Sequence, residues 1–486
     1  MLEIWESISP YVLPFYYLAI FLVVISILLD NRNPLKTHSY LLLLLLLPIL
    51  GIIIYLFFGQ NIRKRKVFAK KRLINSAFGD QLVFNGSGAP LMDRQRPLTT
   101  LPQGQYGKLI QFLKNDLSPL STNNKVSILK NGESKIPEVI DAIKEARHHI
   151  HLEYYIYSED EIGHELAQLL IQKAKEGIEV RMIVDGVGSF QLSNSFFRSF
   201  QAAGIELIEF MPVLFPSFTS KINYRNHRKI LIVDGAIGFT GGINIDDRYI
   251  NNGKHSLYWR DTHLKIEGES VKTLQFLFFL NWQFITQQEV ANKSEYFPNQ
   301  TDIGNHCVQI NASGPDWELA SIMDSFFLAI NSAKQKVRIA TPYFIPNESI
   351  LDAIITAAKS NIEVELMIPY ESDSWIVQAA SMSFLREIME NGVDVFLYQK
   401  GFLHSKVIII DDTFSSVGTA NMDYRSFDLN HEVNTYLYDY DLVETLIEQF
   451  EADKRDCIHL ELNEWKNRDL PEKLKESVCR LLAPLL

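Results

Sequence analysis

One motif, H-x-K-x4-D, occurs twice in this chain, and this repeat restricts the possible folds more than any other feature of the sequence. The first copy runs from His227 to Asp234 and the second from His404 to Asp411. The offset between the copies is 177 residues, for the histidines and for the aspartates alike. Solenoid repeats recur about every 20–50 residues, so a period this long is typical of a duplicated domain.

Helix and strand patterns alternate in the same order around both copies. A helical pattern at 136–147 leads into an apolar strand at 150–155, and a pattern at 317–333 leads into 337–340. Such alternation predicts α/β layers with largely buried strands. The sequence therefore predicts an α/β fold of two pseudo-symmetric domains, each a mixed sheet flanked by helices, over residues 126–300 and 301–486.

The doubled motif supplies the groups that phosphodiester transfer needs. A His and a Lys two residues apart on a strand point to the same face. Of the imidazoles His227 and His404, one can attack phosphorus while the other protonates the leaving alkoxide. Lys229 and Lys406 can stabilise the charge on the phosphate oxygens. An Asn ten residues after each aspartate is suited to present an amide to the same site, at Asn244 and Asn421.

The motif aspartates are compatible with two roles. Asp234 and Asp411 each stand where a strand gives way to a turn, which suits a structural residue as well as a catalytic one. A lone His-x-Lys is usually a surface feature, but two copies in register favour a shared active site. No spacing typical of metal ligands is present, so we predict no metal and no other cofactor.

Two apolar runs open the chain, at 11–29 and 41–58, and each has about the 17–25 residues needed to cross a bilayer core. A cleaved signal peptide is the alternative for the first run. However, Glu3 and Glu6 stand where such a peptide carries basic residues. We therefore predict a transmembrane helical hairpin over residues 1–60, followed by a basic connector over 61–125.

The distribution of charge predicts an orientation. Basic residues cluster at 63–66 and 70–72, directly after the second apolar run, and such clusters stay in the cytoplasm. We therefore expect the two domains on the cytoplasmic side and the loop near Asn33 outside. The cluster is also suited to anionic lipid head groups. A net charge of −11 argues against a nucleic-acid partner, and three scattered cysteines fit a reducing compartment.

The twin motifs resemble those of the phospholipase D superfamily, whose pattern is H-x-K-x4-D-x6-G-x-x-N. The resemblance extends over essentially the whole chain to the bacterial cardiolipin synthases with a two-span anchor. The similar stretches are 226–230 (Asn-His-Arg-Lys-Ile), 239–245 (Phe-Thr-Gly-Gly-Ile-Asn-Ile), 258–263 (Tyr-Trp-Arg-Asp-Thr-His), 341–346 (Thr-Pro-Tyr-Phe-Ile-Pro) and 423–427 (Asp-Tyr-Arg-Ser-Phe). Asn281 and His431 depart from the residues usual in that family.

The resemblance implies a membrane enzyme of the bacterial inner membrane that forms cardiolipin and glycerol from two phosphatidylglycerol molecules. It implies His227 as the nucleophile of a phosphatidyl-histidine intermediate and His404 as the acid and base. It also implies that a later carboxylate contacts the histidine of the opposite half, and the candidates are Asp261 and Glu432. The expected partners are phosphatidylglycerol and anionic membrane lipids, with the oligomeric state open.

Three alternatives keep the fold but change the function. A phospholipase D would use the same site with water as acceptor, giving phosphatidic acid. A nuclease of the same superfamily is disfavoured by the acidic composition and by the anchor. A non-catalytic membrane scaffold is disfavoured because every motif position is present in both halves.

Overall fold

The computed structural model describes residues 2–29, 34–55, 103–212, 223–253, 257–288, 294–317 and 320–486. By its internal contacts the chain divides into two units. The first comprises Met1–Lys70 and Val213–Ile222, and the second comprises Lys71–Pro212 and Asn223–Leu486. The predicted basic cluster at 63–72 lies outside the described residues.

The described part of the first unit contains three helices, α1 (Leu2–Leu29), α2 (Pro34–Leu46) and α3 (Pro48–Ile54). Ile27, Leu44 and Tyr55 form a small buried cluster between them, and the hydroxyls of Ser26 and Tyr55 are 3.0 Å apart. The first predicted apolar run falls on α1 and the described part of the second falls on α2 and α3, whereas residues 56–58 lie outside the described residues. Within the described residues, no helix combines the length and the apolar character needed to cross a membrane.

The first half of the second unit is built on a seven-stranded mixed sheet, the first sheet, in the order β1-β8-β6-β5-β2-β3-β4. Its strands are β1 (Asn124–Lys130), β2 (His149–Tyr154), β3 (Glu179–Asp185), β4 (Glu206–Phe210), β5 (Lys229–Val233), β6 (Ile237–Gly241) and β8 (Thr262–Gly268). Strands β2, β3 and β4 are parallel, whereas β5, β6, β8 and β1 pair antiparallel.

The second half is built on an eight-stranded mixed sheet, the second sheet, in the order β19-β13-β12-β10-β15-β16-β18-β9. Its strands are β9 (Val308–Ser313), β10 (Lys336–Ala340), β12 (Glu363–Pro369), β13 (Asp394–Tyr398), β15 (Val407–Ile410), β16 (Phe414–Gly418), β18 (Glu432–Leu437) and β19 (Cys457–His459). Apart from β19, its order and strand directions repeat those of the first sheet. This repetition confirms the predicted duplication of an α/β fold.

Helices cover the outer faces of both sheets. The helices described in the second unit are α4 (Gln103–Asn115), α5 (Asn131–Glu145), α6 (Glu161–Lys175), α7 (Asn194–Ala202), α8 (Val271–Thr286), α9 (Ser321–Asn331), α10 (Glu348–Lys359), α11 (Trp375–Met389), α12 (Tyr424–Asp428), α13 (Tyr440–Lys454), α14 (Leu462–Lys466) and α15 (Leu470–Arg480). Short 3-10 turns occupy Asp247–Tyr249, Ser294–Tyr296 and Ala483–Leu485.

The two sheets share one apolar core between their inner faces. Ile232 on β5 and Ile409 on β15 belong to the same buried cluster, to which α8 and α13 also contribute. Helix α8 is buried on all sides from Val271 to Gln283, as expected for a helix that is apolar all round. Because this core is common to both halves, it fixes the two copies of the motif relative to each other.

Three short strand pairings cross between distant segments near the ends of the motif strands. Strand β7 (Tyr258–Arg260) pairs in parallel with β14 (Gly401–Leu403), and β11 (Phe344–Ile345) pairs with β17 (Met422–Asp423). Asn226 forms a parallel bridge with His431. The first and third pairings join one half to the other immediately before each motif histidine, and so they build the site described below.

Candidate active site

The first motif histidine contacts a carboxylate from the second half. His227 Nδ1 lies 2.9 Å from Glu432 Oε2 and 3.0 Å from Glu432 Oε1. The Glu432 carboxylate also accepts hydrogen bonds from the Thr419 hydroxyl at 2.5 Å and from the Asn430 amide at 3.3 Å. Since Nδ1 is engaged by the carboxylate, Nε2 of His227 is the ring nitrogen left for chemistry.

The second motif histidine has the mirror-image arrangement. His404 Nδ1 lies 2.6 Å from Asp261 Oδ2, and the other carboxylate oxygen accepts a hydrogen bond from the Thr262 backbone N–H at 2.7 Å. A Cβ added at Gly242 would collide with the Asp261 carboxylate, which explains the glycine at this position. In the second copy Thr419 stands there instead and donates to Glu432.

Backbone hydrogen bonds hold each histidine beside the partner carboxylate. The His227 N–H donates to the His431 carbonyl at 2.9 Å, and the His431 N–H donates to the Arg225 carbonyl at 2.8 Å. The His404 N–H donates to the Arg260 carbonyl at 2.8 Å. His431 directly precedes Glu432, and Arg260 directly precedes Asp261. The two histidine–carboxylate contacts between the halves are therefore related by a pseudo-two-fold axis.

The two motif lysines are buried beside the histidines. Lys229 Nζ donates to the His227 carbonyl at 2.7 Å, and Lys406 Nζ donates to the His404 carbonyl at 2.5 Å. The Lys229 ammonium also lies 5.3 Å from the centre of the Tyr155 ring. Each lysine therefore keeps donor capacity beyond the bond to its own motif, because an ammonium group has three N–H donors.

Burial and mutual repulsion lower the pKa of both lysines. Burial is the main cause that lowers the pKa of Lys229 to about 7; Glu432 opposes this shift and Lys406 reinforces it. Burial likewise lowers the pKa of Lys406 to about 8, against the opposing charges of Asp261 and Glu432. The site thus brings together two lysines whose ammonium form a bound anion would stabilise.

The histidine pKa values are lowered by the same causes. Burial lowers the pKa of His227, although Glu432 acts to raise it. Burial and the charge of Lys406 lower the pKa of His404 to about 3, again with a carboxylate, Asp261, opposing. Both imidazoles are therefore neutral in the free enzyme at neutral pH.

Burial acts to raise the pKa of both partner carboxyls, but it is outweighed. His404 and Lys406 lower the pKa of Asp261, and His227 and Lys229 lower the pKa of Glu432. The carboxylates are therefore charged, as is needed to hold an imidazole in one tautomer.

The two motif asparagines are buried but have different partners. Asn244 Oδ1 accepts from the Ile156 N–H at 3.2 Å, and its amide donates to the Tyr249 hydroxyl at 2.7 Å. The Asn421 N–H donates to the Ser426 hydroxyl at 3.1 Å. The Tyr249 ring in turn lies 5.8 Å from the His404 ring, so Asn244 reaches the second histidine through this tyrosine.

The motif aspartates lie at the far ends of their strands, away from the histidines. Asp234 accepts the backbone N–H groups of residues 147–149 at 2.8–3.0 Å. Asp411 accepts those of residues 334–336 and the Gln105 side-chain amide at 2.6 Å. Both aspartates have a φ of 53°. The carboxylate hydrogen bonds of these two predicted site residues are therefore to backbone N–H groups and Gln105, not to the motif histidines.

Other side chains at the site were not singled out from the sequence. Asp185 accepts hydrogen bonds from the Arg225 side chain at 3.2 Å and from the Asn226 N–H at 2.8 Å. The Asn226 amide donates to Glu153 at 2.8 Å. The Tyr155 ring packs edge-on against His227, with centroids 5.0 Å apart. A carboxylate in the apolar run of β2 was the available signal for Glu153.

Comparisons with known proteins agree with this geometry. Residues 139–266 and 327–454 both match the family described as "Cardiolipin synthase, PLD-like domain", so each half carries one copy. Residues 18–60 match the family described as "Phospholipase D-nuclease N-terminal". A solved structure, that of phosphatidylserine synthase from Haemophilus influenzae Rd KW20, has a TM-score of 0.60 at 15% identity and covers 78% of this chain and 100% of that one. That likeness concerns the fold alone.

Curated relatives match over nearly the full length. A cardiolipin synthase of Halalkalibacterium halodurans is 44% identical over 95% of this chain and 91% of its own length. Cardiolipin synthase 2 of Bacillus anthracis is 42% identical over 96% of this chain and 90% of its own. The chain therefore belongs to the cardiolipin synthase family of the phospholipase D superfamily.

Proposed function

We propose that this phosphatidyltransferase converts two phosphatidylglycerol molecules into cardiolipin and glycerol at one site shared by its two halves. The observation that carries the proposal is the reciprocal pairing of His227 with Glu432 and of His404 with Asp261. Each pair leaves one ring nitrogen for chemistry, and the two buried lysines supply the positive charge that a phosphodiester needs.

In the first half-reaction, His227 Nε2 attacks the phosphorus of one phosphatidylglycerol. A P–N bond forms, the P–O bond to the head-group glycerol breaks, and His404 donates a proton to the departing alkoxide. Glu432 stabilises the positive charge that develops on His227. The products of this step are free glycerol and phosphatidyl-His227.

In the second half-reaction, the terminal glycerol hydroxyl of another phosphatidylglycerol attacks the same phosphorus. His404 takes the hydroxyl proton, the P–N bond breaks, and its electron pair returns to His227. The released lipid is cardiolipin, and both histidines regain their starting protonation states. Pseudo-symmetry makes the reverse assignment the alternative, with His404 as the nucleophile.

Substrate binding resolves the protonation requirement of the first step. An acid at His404 must carry a proton, yet burial and the neighbouring lysine hold the pKa of its imidazole at about 3 in the free enzyme. A phosphodiester anion beside the lysines offsets both causes, since an opposite charge favours the protonated form. Lipid binding thus raises the pKa of His404 and favours the protonated imidazole that the first step requires.

Asp234 and Asp411 have structural roles in this proposal, because each carboxylate accepts hydrogen bonds from three consecutive backbone N–H groups at the far end of a motif strand. Asn244 acts by positioning Tyr249. We assign Asn421 to the pocket edge by its equivalence to Asn244. Domains at 126–300 and 301–486 then contribute one histidine and one carboxylate each.

We also propose that residues 1–60 anchor the enzyme in the bacterial cytoplasmic membrane as a helical hairpin, with 61–125 as connector. The two uncharged runs and the N-terminal family match at 18–60 support this assignment. A cysteine placed at Asn33 is expected to react with an impermeant maleimide added to intact cells. Labelling of this position only after lysis would contradict the orientation.

The test of function is incubation of the purified full chain with phosphatidylglycerol vesicles. We expect cardiolipin and glycerol in equal amounts, and phosphatidic acid as the main product would favour the phospholipase D alternative. An acid-labile phosphoenzyme should map to the peptide that contains His227. Recovery of the label on His404 would reverse the assignment of the two histidines.

The matched control for the histidine variants is a surface histidine. His227→Ala and His404→Ala should both remain folded with negligible turnover. His459→Ala, at a half-exposed histidine paired with Asp394, should keep the wild-type rate. Wild-type turnover in both motif variants would exclude the shared-site mechanism, whereas absence of turnover in the wild-type protein would favour the scaffold alternative.

A further inference from the structure

The C-terminal helix α15 carries an apolar stripe that no part of the described structure covers. Its exposed residues recur at intervals of four, four and three, as expected for one face of a helix. They are Leu470, Leu474, Val478 and Leu481, with exposed fractions of 77%, 62%, 54% and 79%. Cys479, on the opposite side by the same spacing, is 4% exposed and packs in the core.

Basic side chains flank this stripe on both sides. By helical spacing, Lys475 stands on one side of the stripe and Lys473 on the other. Among the described residues neither lysine has a carboxylate partner, and Lys473 Nζ donates to the Lys466 carbonyl at 2.7 Å. Long basic side chains beside an apolar face are typical of helices that lie in the lipid head-group region.

The apolar surface continues from α15 to the first residue of α11. Lys475 Nζ lies 5.4 Å from the ring centre of Trp375, which is 63% exposed. An exposed tryptophan beside a lysine is common where a protein meets the membrane interface, because the ring has both apolar and polar edges. Trp375 therefore extends the stripe beyond the helix.

From Trp375 a series of residue contacts leads inwards to the active site. Asp373, two residues earlier, accepts hydrogen bonds from the Tyr343 hydroxyl at 2.8 Å. The Tyr343 ring lies 6.4 Å from Phe402, whose ring is 5.7 Å from His404. The stripe on α15 is thus connected to the second motif histidine through side-chain contacts and the short backbone segment from Asp373 to Trp375.

The first half also presents an aromatic side chain close to the site. Phe190 is 70% exposed and stands in the turn after β3. The same turn contacts Tyr155, since the Ser189 hydroxyl donates to the Tyr155 carbonyl at 3.0 Å. Tyr155 packs against His227. Each motif histidine is therefore linked, through intervening residues, to an exposed aromatic side chain.

We propose that the stripe on α15, together with Trp375, Lys473 and Lys475, rests on an anionic phospholipid bilayer and thereby holds the active site at the lipid surface. The apolar residues would enter the acyl boundary while the two lysines contact the anionic head groups. The inference rests on the proposed function in one respect only, that the substrate is a membrane lipid. The contact is separate from any N-terminal anchor.

The kinetic test compares two physical forms of the same substrate with the full chain. Long-chain phosphatidylglycerol is presented in vesicles, and dihexanoyl phosphatidylglycerol is presented as dispersed monomers. Leu474→Ser/Val478→Ser should lose roughly tenfold in kcat/KM on vesicles, because two side chains no longer gain from leaving water, and should retain the wild-type value on monomers. Unchanged turnover on vesicles, or an equal loss on both substrates, would overturn the proposal.

Two further variants refine this comparison. Tyr440→Ser is the matched control, since Tyr440 is 52% exposed on α13, which packs on β1 and β16. It should behave as wild type on both substrates. Lys473→Gln/Lys475→Gln should remove most of the increase in rate that anionic lipid produces in mixed vesicles. An undiminished response to anionic lipid would contradict the role of the lysines.

A binding measurement tests the surface without turnover. Emission from Trp375, obtained as the difference between wild type and Trp375→Phe, should be quenched by doxyl-labelled phospholipid in phosphatidylglycerol vesicles. No quenching would overturn the proposal, whereas quenching without cardiolipin formation would overturn the proposed function alone. If Leu474→Ser/Val478→Ser instead changes the molar mass of the detergent-solubilised protein, the stripe binds a second copy and the lipid proposal fails.

Discussion

His227 Nδ1 lies 2.9 Å from Glu432 Oε2, although 205 residues separate the two in the chain. The pair His404–Asp261 repeats this contact at 2.6 Å in the opposite direction. Neither half therefore contains a complete histidine–carboxylate pair, and each half completes the other. Loss of either half would therefore leave the remaining motif histidine without its partner carboxylate.

The first prediction concerns these two carboxylates. Glu432→Gln and Asp261→Asn should each lower kcat by about 10²–10⁴-fold, because an amide fixes the imidazole tautomer less well and does not stabilise the imidazolium. The measurement is cardiolipin formation from phosphatidylglycerol, with the thermal midpoint as a control for folding. A loss below threefold with an unchanged midpoint would show that the carboxylates are dispensable.

The second prediction concerns the two buried lysines and pH. The pKa of Lys229 is about 7 and that of Lys406 about 8, so the free site loses positive charge as pH rises through this range. We expect kcat/KM to fall above about pH 8, with proton uptake on lipid binding at that pH, measured by calorimetry in two buffers of different ionisation enthalpy. No proton uptake would refute the lowered lysine pKa values.

The lowered pKa of Lys229 affects stability in the opposite direction, since activity should fall with rising pH while stability should increase. Above pH 7 the unfolded chain binds more protons than the folded one at Lys229, because the pKa of a lysine is about 10.4 when unfolded. The contribution of Lys229 to the free energy of unfolding therefore rises with pH between about 7 and 10. In denaturant titrations, the free energy of unfolding of Lys229→Gln should rise less over this pH range than that of the wild type. Because the stability contribution of Lys229 rises with pH, unfolding at this site does not explain the expected alkaline loss of activity.

The third prediction separates the motif aspartates from catalysis. Asp234→Ala should lower the free energy of unfolding by about 3 kcal/mol, since several backbone N–H groups lose their acceptor and the φ of 53° becomes strained. Asp234→Asn keeps one acceptor and tolerates this φ, so it should cost only about 1 kcal/mol. Below the melting transition, both variants should keep kcat within about threefold of wild type. A larger loss would make Asp234 catalytic.

The fourth prediction concerns a buried pair behind the first histidine. His431 Nδ1 lies 2.9 Å from Asp316 Oδ1, and both side chains are at most 1% exposed. His431→Phe should cost about 3 kcal/mol of stability, because it leaves a buried carboxylate without this partner. His431→Phe/Asp316→Asn should recover much of the loss. If the double variant is no more stable than the single one, the pair is not coupled.

Local pattern was enough to predict the elements and much of the chemistry. Apolar runs such as those of β5 and β15 predict buried strands, because strands covered on both faces are apolar along their length. The twin motif identifies its histidines and lysines. The roles of Asp234 and Asp411 could not be read, because a carboxylate at a strand end looks alike whether it holds backbone or substrate. Tyr155 and Glu153 gave too little signal, since their contacts are to residues distant in the chain.

The sequence by itself determined the duplication, the residue types at the site and the family, because motif spacing and strand pattern are local properties. Only the tertiary structure decided how each histidine contacts the carboxylate of the opposite half that the family resemblance had implied. Asp261 and His404 are 143 residues apart, and their contact depends on β7 pairing with β14 across the shared core. The physical reason is that such pairing follows from packing two sheets face to face, which no spacing along the chain encodes.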